Sequence, residues 1–368
     1  MLESHTGDFV KWDRQGEFPA EFIAELKDFG LFGLVIPEQY GGLGLGSTAY
    51  SRTLQEIAKY DASAAVTVGA HSSIGMRGLL LFGTDEQKQR WAVPVLKGEL
   101  TASLGMSEPS AGSDLASLRT RAVRDGDDFV VNGQKVWTSG AHDADYLLTF
   151  VRTDPDAPKH KGISVLVIPT DIPGVVRRPF ADLCGEENKD FNEVFFTDVR
   201  VPAENLVGPL NGGWGVANGS LGHERTMMWL GFADRIANSI ADTRPSNALQ
   251  RDQLASTIMD YQALRLLGSV GLAKAARGEV DVASVSVPKL FGAEAEMRAT
   301  DLALNSAGID GLIHPSTTGP YAHMNLDHYF ASWFERYARS FSGTIAGGTS
   351  EIQRNIIAQQ VLGLPRPR

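Results

Sequence analysis

The spacing of apolar positions changes twice along the 368-residue chain, dividing it into three regimes. From about residue 18 to about 100 the spacing is that of helices. In "PAEFIAELKDFGLFGL", Phe22, Ile23, Leu26 and Phe29 recur on one helical face, and Gly30 supplies a stop. "TDEQKQRWAVPVL" puts Thr84 three residues before Gln87, the pattern of a capping box at a helix start. From about 101 to about 205 the period shortens to that of strands. "DDFVVNGQKVW" reads as a hairpin with Asn132-Gly133 as its two-residue turn. "YLLTFVRT", "GISVLVIP" and "NEVFFTDVRVP" are further strands, and no helix-length segment separates them. That favours an antiparallel sheet or small barrel over a parallel βαβ unit. From about 213 helices return, with Leu254, Ile258, Tyr261, Leu264 and Leu267 on one stripe and Leu290, Ala293, Met297 and Leu304 on another. Successive long helices of this kind predict a bundle. The expected architecture is mainly α with a central β domain: helices over 1–100, β structure over 101–208, a helical bundle over 209–368. "ADTRPSNALQRDQ" is the expected exposed break in the bundle, and the chain shows no internal repeat.

Composition narrows the partners. Hydrophobic content of 43% and charged content of 21% are those of a folded soluble protein. A net charge of −10 without a long basic run argues against nucleic acid. It does not argue against small anions, which backbone N–H groups bind within acidic proteins. The single cysteine, Cys184, cannot form an internal disulfide and suits a reducing compartment. No apolar run reaches the roughly 18 residues that span a bilayer, and "MLESHTGDFVKWDRQGEFP" lacks a signal-peptide core. The expectation is a cytoplasmic protein with no membrane association.

Several stretches could carry chemistry. "GLGSTA" at 44–49 satisfies a dinucleotide-binding pattern, but the segment before it reads as helix, not as the strand that motif requires. "GMSEPSAGSD" at 105–114 crowds hydroxyls and exposed N–H groups into one loop, fit either for a pyrophosphate or for a plain turn-rich linker. In "QKVWTSGAHDADY", Trp137 and Ser139 stand two apart, so a strand directs both to one face. That makes either a platform for a flat ligand or an ordinary core tryptophan. His142-Asp143 invites a hydrolase reading, but adjacent residues of an extended segment face opposite ways, and G-x-S-x-G is absent. The histidines show no metal-ligand spacing, so no metal is expected. "LGHERTMMWLG" at 221–231 sets Glu224 beside Arg225 within a helical run: either a surface charge or a catalytic base.

Taken together, these stretches resemble the acyl-CoA dehydrogenase family over nearly the whole chain. "GMSEPSAGSD" resembles the family's flavin loop, "NGQKVWTSGAHDADY" the β segment after it, and "GGTSEIQRNIIAQQVLGLP" the C-terminal signature. "LVIPEQYGGLG" and "VFFTDVRVPAENLVG" are weaker matches. The resemblance implies an N-terminal helical domain, a middle antiparallel β-barrel domain and a C-terminal four-helix bundle holding FAD. It implies that Met106, Ser107 and Ser113 line the flavin and its phosphates, and that Trp137 and Ser139 sit against the ring. It also implies that Thr349, Ser350 and Glu351 contact the cofactor from the bundle, and that Ser113, Arg225 and Gly348 bind substrate. The implied reaction takes an α-proton and a β-hydride from an acyl-CoA, giving the trans-2-enoyl thioester, with electron-transfer flavoprotein as acceptor.

Many family members carry the base just before the Gly-Thr of the C-terminal signature, where this chain has Gly347. A minority carry it on the first bundle helix, immediately before an arginine, and here that position reads Glu224-Arg225. The resemblance therefore implies Glu224 as the base, with Gly347 keeping only a backbone N–H for the thioester carbonyl. The segment expected to reach a neighbour's FAD is not clear in "TRPSNALQRDQLA", and "NSAGIDG" matches the adenine-side segment loosely. Alternatives stay open: a homodimer or homotetramer, a flavin-poor partner subunit of a heteromer, or a carrier-protein thioester dehydrogenase or oxidase on the same fold.

Overall fold

The computed structural model describes residues 1–9, 11–12, 18–73, 76–183, 191–312 and 332–365. For residues 47, 62, 66, 70–73 and 221–228 it describes the backbone alone. Cys184 lies outside the described residues. Before the sheet come α1 (Ala20–Asp28), α2 (Ser47–Ala58), α3 (Ala62–Ser73), α4 (Arg77–Phe82), α5 (Asp85–Gln87) and α6 (Val93–Leu96). After it come α7 (Gly213–Asp242), α8 (Ala248–Ala276), α9 (Val282–Ala307), α10 (Trp333–Gly343) and α11 (Ser350–Ile356). The chain forms two compact units, one of Met1–Leu45, Tyr60–Asp182 and Asn188–Leu221, the other of Gly46–Lys59, Leu183–Glu187 and Gly222–Arg368.

In the first unit local signals act as the sequence leads one to expect. α1 ends at Gly30, whose φ of 78° is a left-handed stop. Thr84 and Gln87 form the capping box: the Gln87 N–H donates to Thr84 Oγ1 at 3.2 Å, and the Thr84 N–H to Gln87 Oε1 at 3.1 Å. The Gln87 amide also donates to the carbonyls of Glu204 and Leu206, so the cap ties α5 to the chain leaving the sheet.

The sheet contains β1 (Ala102–Gly105), β2 (Arg121–Asp125), β3 (Asp128–Ser139), β4 (Tyr146–Arg152), β5 (Ile163–Pro169), β6 (Val175–Phe180) and β7 (Phe191–Pro202). Its order is β1-β4-β2-β3-β7-β6, with β5 beside β4. Most pairs are antiparallel, whereas β1 and β2 each meet β4 in parallel. β4 and β5 are buried along nearly their whole length. Tyr146, Leu148 and Phe150 enter one core with Trp91 and Val95, while Leu147 and Val151 enter another with Phe196 and Val199. Burial on both faces explains why these strands read as unbroken apolar runs.

The expected hairpin at Asn132-Gly133 is not formed. β3 runs straight through it, and the turn lies instead between β2 and β3, at Gly126 (φ 61°). A two-residue hairpin turn of type I′ or II′ needs positive φ at its first centre; Gly126 has it and Asn132 does not. Instead the register against β7 shifts between Val131 and Gly133, marking a bulge. The Asn132 side chain bridges to Asp198, donating to its carboxylate and accepting its N–H. Gly133 passes so close to Thr120 that a Cβ there would lie 2.6 Å from its Cα.

The second unit packs large side chains into glycine notches. A Cβ at Gly268 on α8 would fall 2.1 Å from the Trp229 ring, and one at Gly292 on α9 would fall 2.7 Å from Phe232. The predicted stripes are only partly the buried faces. On α8 Leu264 is buried, but Ile258 is 41% exposed and Leu267 37%. On α9 the buried face is Lys289, Gly292, Ala293, Glu296, Ala299, Thr300 and Ala303. It is displaced from the apolar stripe because two charged residues lie inside: Glu296 pairs with Arg235, and Lys289 donates to the main chain.

Candidate active site

The loop after β1 is organised from beneath by a buried ion pair. The main chain folds back at Glu108, whose N–H and carbonyl pair with Ala111. The Glu108 carboxylate accepts the N–H groups of Arg119 and Thr120 at 2.6 and 2.8 Å. Lys135 of β3 donates to the same carboxylate at 2.8 Å, with both side chains buried. Burial pushes the Lys135 ammonium down to about 8, against the pull of Glu108. Burial by itself would raise the Glu108 carboxyl, but Lys135 and the N–H donors hold it below its usual value.

Lys135 Nζ also donates to the Met106 carbonyl at 3.2 Å, and the Val136 N–H to the Ser107 carbonyl at 3.0 Å. Met106 and Ser107 are thus fixed directly against the strand that carries Trp137 and Ser139. Ser113 is exposed, further along the same loop. Neither Glu108 nor Lys135 stood out in the sequence, where a lysine in a strand reads as a solvated position. The available signal was that Lys135 occupies an inward place in the alternation of β3.

Trp137 and Ser139 are both exposed with Thr138 buried between them, so the expected alternation holds, across a register shift between Lys135 and Thr138. Trp137 is 60% exposed and has φ of 60°. A left-handed bulky residue costs on the order of 1–3 kcal/mol, and such strain gathers at ligand sites. Edge contacts from Phe180 and Phe191, at 5.1 and 5.5 Å between centroids, fix the indole. Ser103 Oγ donates to the Ser139 carbonyl at 2.6 Å, and the buried Thr138 hydroxyl has no hydrogen-bond partner.

His142 and Asp143 do meet, contrary to the expectation of opposite faces. Their segment is a turn, with the Asp143 N–H donating to the Gly140 carbonyl, and His142 Nε2 lies 3.3 Å from Asp143. The other ring nitrogen goes to Asn192, not to a hydroxyl. At 44–49, Gly46 precedes the start of α2, and a short 3-10 turn over Glu38–Tyr40 stands where the dinucleotide motif needs a strand. Among the described residues no cluster of metal-ligating side chains is found, and no helix is long and apolar enough to cross a membrane.

The remaining candidates lie in the second unit. Gly347 and Gly348 are consecutive left-handed residues, with φ of 66° and 96°. Thr349 caps α11, its hydroxyl accepting the Ile352 N–H at 3.2 Å. Ser350 is buried and its hydroxyl has no hydrogen-bond partner, whereas Glu351 is exposed. Gln353 donates to the Gly347 carbonyl at 3.1 Å, and Lys289 to the Gly348 carbonyl at 2.6 Å. Glu224 and Arg225 fall within α7, but their side chains lie outside the described residues.

Comparison with known proteins follows the same order along the chain. Profiles of the acyl-CoA dehydrogenase N-terminal, middle and C-terminal domains match residues 5–99, 103–199 and 211–362. These matches define an oxidoreductase that acts on CH–CH bonds, in which a β domain lies between helical segments in the sequence. The chain belongs to the acyl-CoA dehydrogenase family. It is 36% identical to acyl-CoA dehydrogenase IpdE1 of Mycobacterium tuberculosis, over 92% of this chain and 86% of that protein. It is 34% identical to acyl-CoA dehydrogenase FadE29 of the same organism, over 96% and 90%. The solved structure of the Tcur3481-Tcur3483 steroid ACAD superposes with a TM-score of 0.83 at 30% identity, covering 100% of this chain and 96% of that one.

Proposed function

We propose that this enzyme carries out FAD-dependent α,β-dehydrogenation of an acyl-CoA, with Glu224 as the base. Trp137 is the observation that carries the reading. A large aromatic ring, exposed and held in a strained conformation by its neighbours, gains most from a flat partner. The rest of the loop fits the same group. Exposed hydroxyls and N–H groups suit the phosphates, and the buried hydroxyls of Thr138 and Ser350 have no partner in the protein. Met106, Ser107, Ser113, Trp137 and Ser139 would hold FAD, and Thr349, Ser350 and Glu351 are proposed as further cofactor contacts.

FAD held by these residues would supply the two-electron oxidant for the β-hydride. The protein's own part is the α-proton. Glu224 takes it into its carboxylate, breaking the α C–H bond as the thioester carbonyl gains enolate character. The Gly347 N–H donates to that oxygen and stabilises its developing charge; losing such a donor typically costs about 10²–10³ in kcat. Arg225, Gly348 and Ser113 bind and orient the acyl-CoA. The substrate loses two electrons and two hydrogens in all, leaving the trans-2-enoyl-CoA. Electron-transfer flavoprotein is the expected reoxidant, and a homodimer or homotetramer the expected assembly.

The acyl group is inferred to be bulky, branched or ring-bearing. Glycine at 347 leaves space where many family members have a glutamate side chain, and the steroid ACAD is among the similar structures. The test is anaerobic titration of the purified protein with straight-chain and ring-bearing acyl-CoAs while the visible spectrum is recorded. The expected result is a flavin band that bleaches with ring-bearing thioesters and persists in Glu224→Gln. Bleaching of Glu224→Gln at the wild-type rate would place the base elsewhere. A chain that binds no FAD would be a partner subunit instead.

A further inference from the structure

Ser139 ends β3 and leads directly into the turn before β4, so the exposed Trp137–Ser139 stretch is only as fixed as that turn. Arg177 of β6 gathers three carbonyls of the turn on one nitrogen. Its Nη1 donates to Ala141 at 3.1 Å, to His142 at 2.9 Å and to Ala144 at 3.1 Å. The Ala144 carbonyl also accepts from Thr170 Oγ1, and the Ser139 carbonyl from Ser103 Oγ. Carbonyls drawn in from water need partners. Three that converge on one point are met best by a guanidinium, whose bonds are both charge-assisted and directed. Ala141 and Ala144 are buried, which leaves water little room to replace it.

The same strand braces the stretch from its other side. β6 ends the sheet and pairs with β7, which separates it from β3. Alternation sends Arg177 and Phe180 to opposite faces. Val175, on the Arg177 face, packs against the buried core, whereas Val176, on the Phe180 face, is exposed. Arg177 reaches past β7 to the turn, while the Phe180 ring meets the Trp137 indole edge-on at 5.1 Å. One short strand therefore holds the exposed ring at one end of the stretch and the turn at the other.

We propose that Arg177 is a positioning residue for the flavin: by closing the 140–144 turn it holds Ser139 and Trp137 in the binding arrangement before the cofactor arrives. This deepens the FAD-dependent reading and rests on it. A site already held in its bound shape binds more tightly, because less has to be ordered on binding. The contribution therefore lies in FAD affinity and in the surroundings of the bound ring. In the sequence "VVRRPF" reads as an exposed edge, because the partners of Arg177 lie 33 to 36 positions away.

The test is Arg177→Met, which keeps the stem and removes the guanidinium, beside Arg177→Lys, which keeps a cation. Val199→Ala, a buried truncation further along β7, serves as a control for general loosening. Amide hydrogen exchange of peptides covering residues 138–146 is followed by mass spectrometry in the protein as purified. FAD affinity is read by flavin fluorescence titration, together with the visible band of the bound flavin. In Arg177→Met, exchange in 138–146 is expected to rise about tenfold and FAD affinity to fall about tenfold, with a shifted flavin band. Arg177→Lys is expected to recover affinity to within about threefold of the wild type, and the control to change neither exchange nor affinity.

Unchanged exchange in Arg177→Met would overturn the clamp, whatever the affinity. Faster exchange with affinity and flavin band unchanged would overturn the positioning role, and so would an equal loss of affinity in Val199→Ala. If the wild type itself takes up no FAD, the dehydrogenase reading fails, and the positioning role fails with it, while the exchange data still judge the clamp. Should Arg177→Met not accumulate as folded protein, Arg177→Gln, polar but too short to span the three carbonyls, is read in the same way.

Discussion

Replacing Glu108 by glutamine removes the charge from the ion pair beneath the loop. Glutamine keeps one oxygen and turns an NH2 donor toward one of the Arg119 and Thr120 N–H groups, which bond to different oxygens of the carboxylate, so one hydrogen bond is lost with the charge. Lys135 then stands buried, 0% exposed at its side chain, without its counter-charge. Breaking such a pair costs about 3–5 kcal/mol. In a unit of about 200 residues each kcal/mol moves Tm by about 2–4 °C, so a loss of about 10 °C is expected near neutral pH.

The pH dependence is more diagnostic than the size. The unfolded chain keeps the Lys135 proton up to its ordinary value of 10.5, and the folded wild type up to about 8. Without Glu108 the folded value drops further. Between that lowered value and about 8, the folded variant binds fewer protons than the folded wild type, while the unfolded chains bind equally. The stability gap therefore narrows as pH rises, by up to about 1.4 kcal/mol per unit, and is constant above about pH 8. Toward acid, the wild type loses the contribution of Glu108 as pH falls below its unfolded value of 4.5 and through its depressed folded value; the variant has none to lose. Calorimetric Tm values from about pH 6 to about pH 9 check this. A gap that stays constant across the range would refute the account of a buried, paired lysine.

Other perturbations separate packing from ligand binding. Trp137→Gly relieves the left-handed strain while removing ring contacts, so Tm is expected to stay within about 3 °C. FAD affinity, read by flavin fluorescence titration, should fall about tenfold or more; unchanged affinity would remove Trp137 from the cofactor site. Gly268→Ala gains about 1 kcal/mol of helix propensity but forces a methyl group onto the Trp229 ring. Overpacking of about 1–3 kcal/mol should win and lower Tm by several degrees. A raised Tm would show that the notch is not tight.

What could be read without coordinates was whatever acts over a few neighbouring residues. The Thr84–Gln87 box, the stop at Gly30 and the change from helical to strand period each depend on spacings that the sequence displays directly. The motif loop at 105–114 and the Trp137–Ser139 pair were likewise legible, because both lie within single short stretches. Asn132-Gly133 failed as a turn for the opposite reason. A dipeptide's preference is worth little against a strand paired along its length with β7, and the glycine was needed for close approach to Thr120.

The tertiary structure alone decided which charges are internal. Lys135 lies 27 residues from Glu108, Glu296 lies 61 from Arg235, and Lys289 lies 59 from Gly348. In a pattern of apolar and polar letters each of these reads as a solvent-facing residue. Burying a charge is favourable only where a partner waits at bonding distance, and that partner comes from another element. The face that α9 turns inward therefore depends on where α7 and the glycine turn stand. Local sequence determined the elements and the candidate chemistry; packing determined how the loop and the glycine turn are held still.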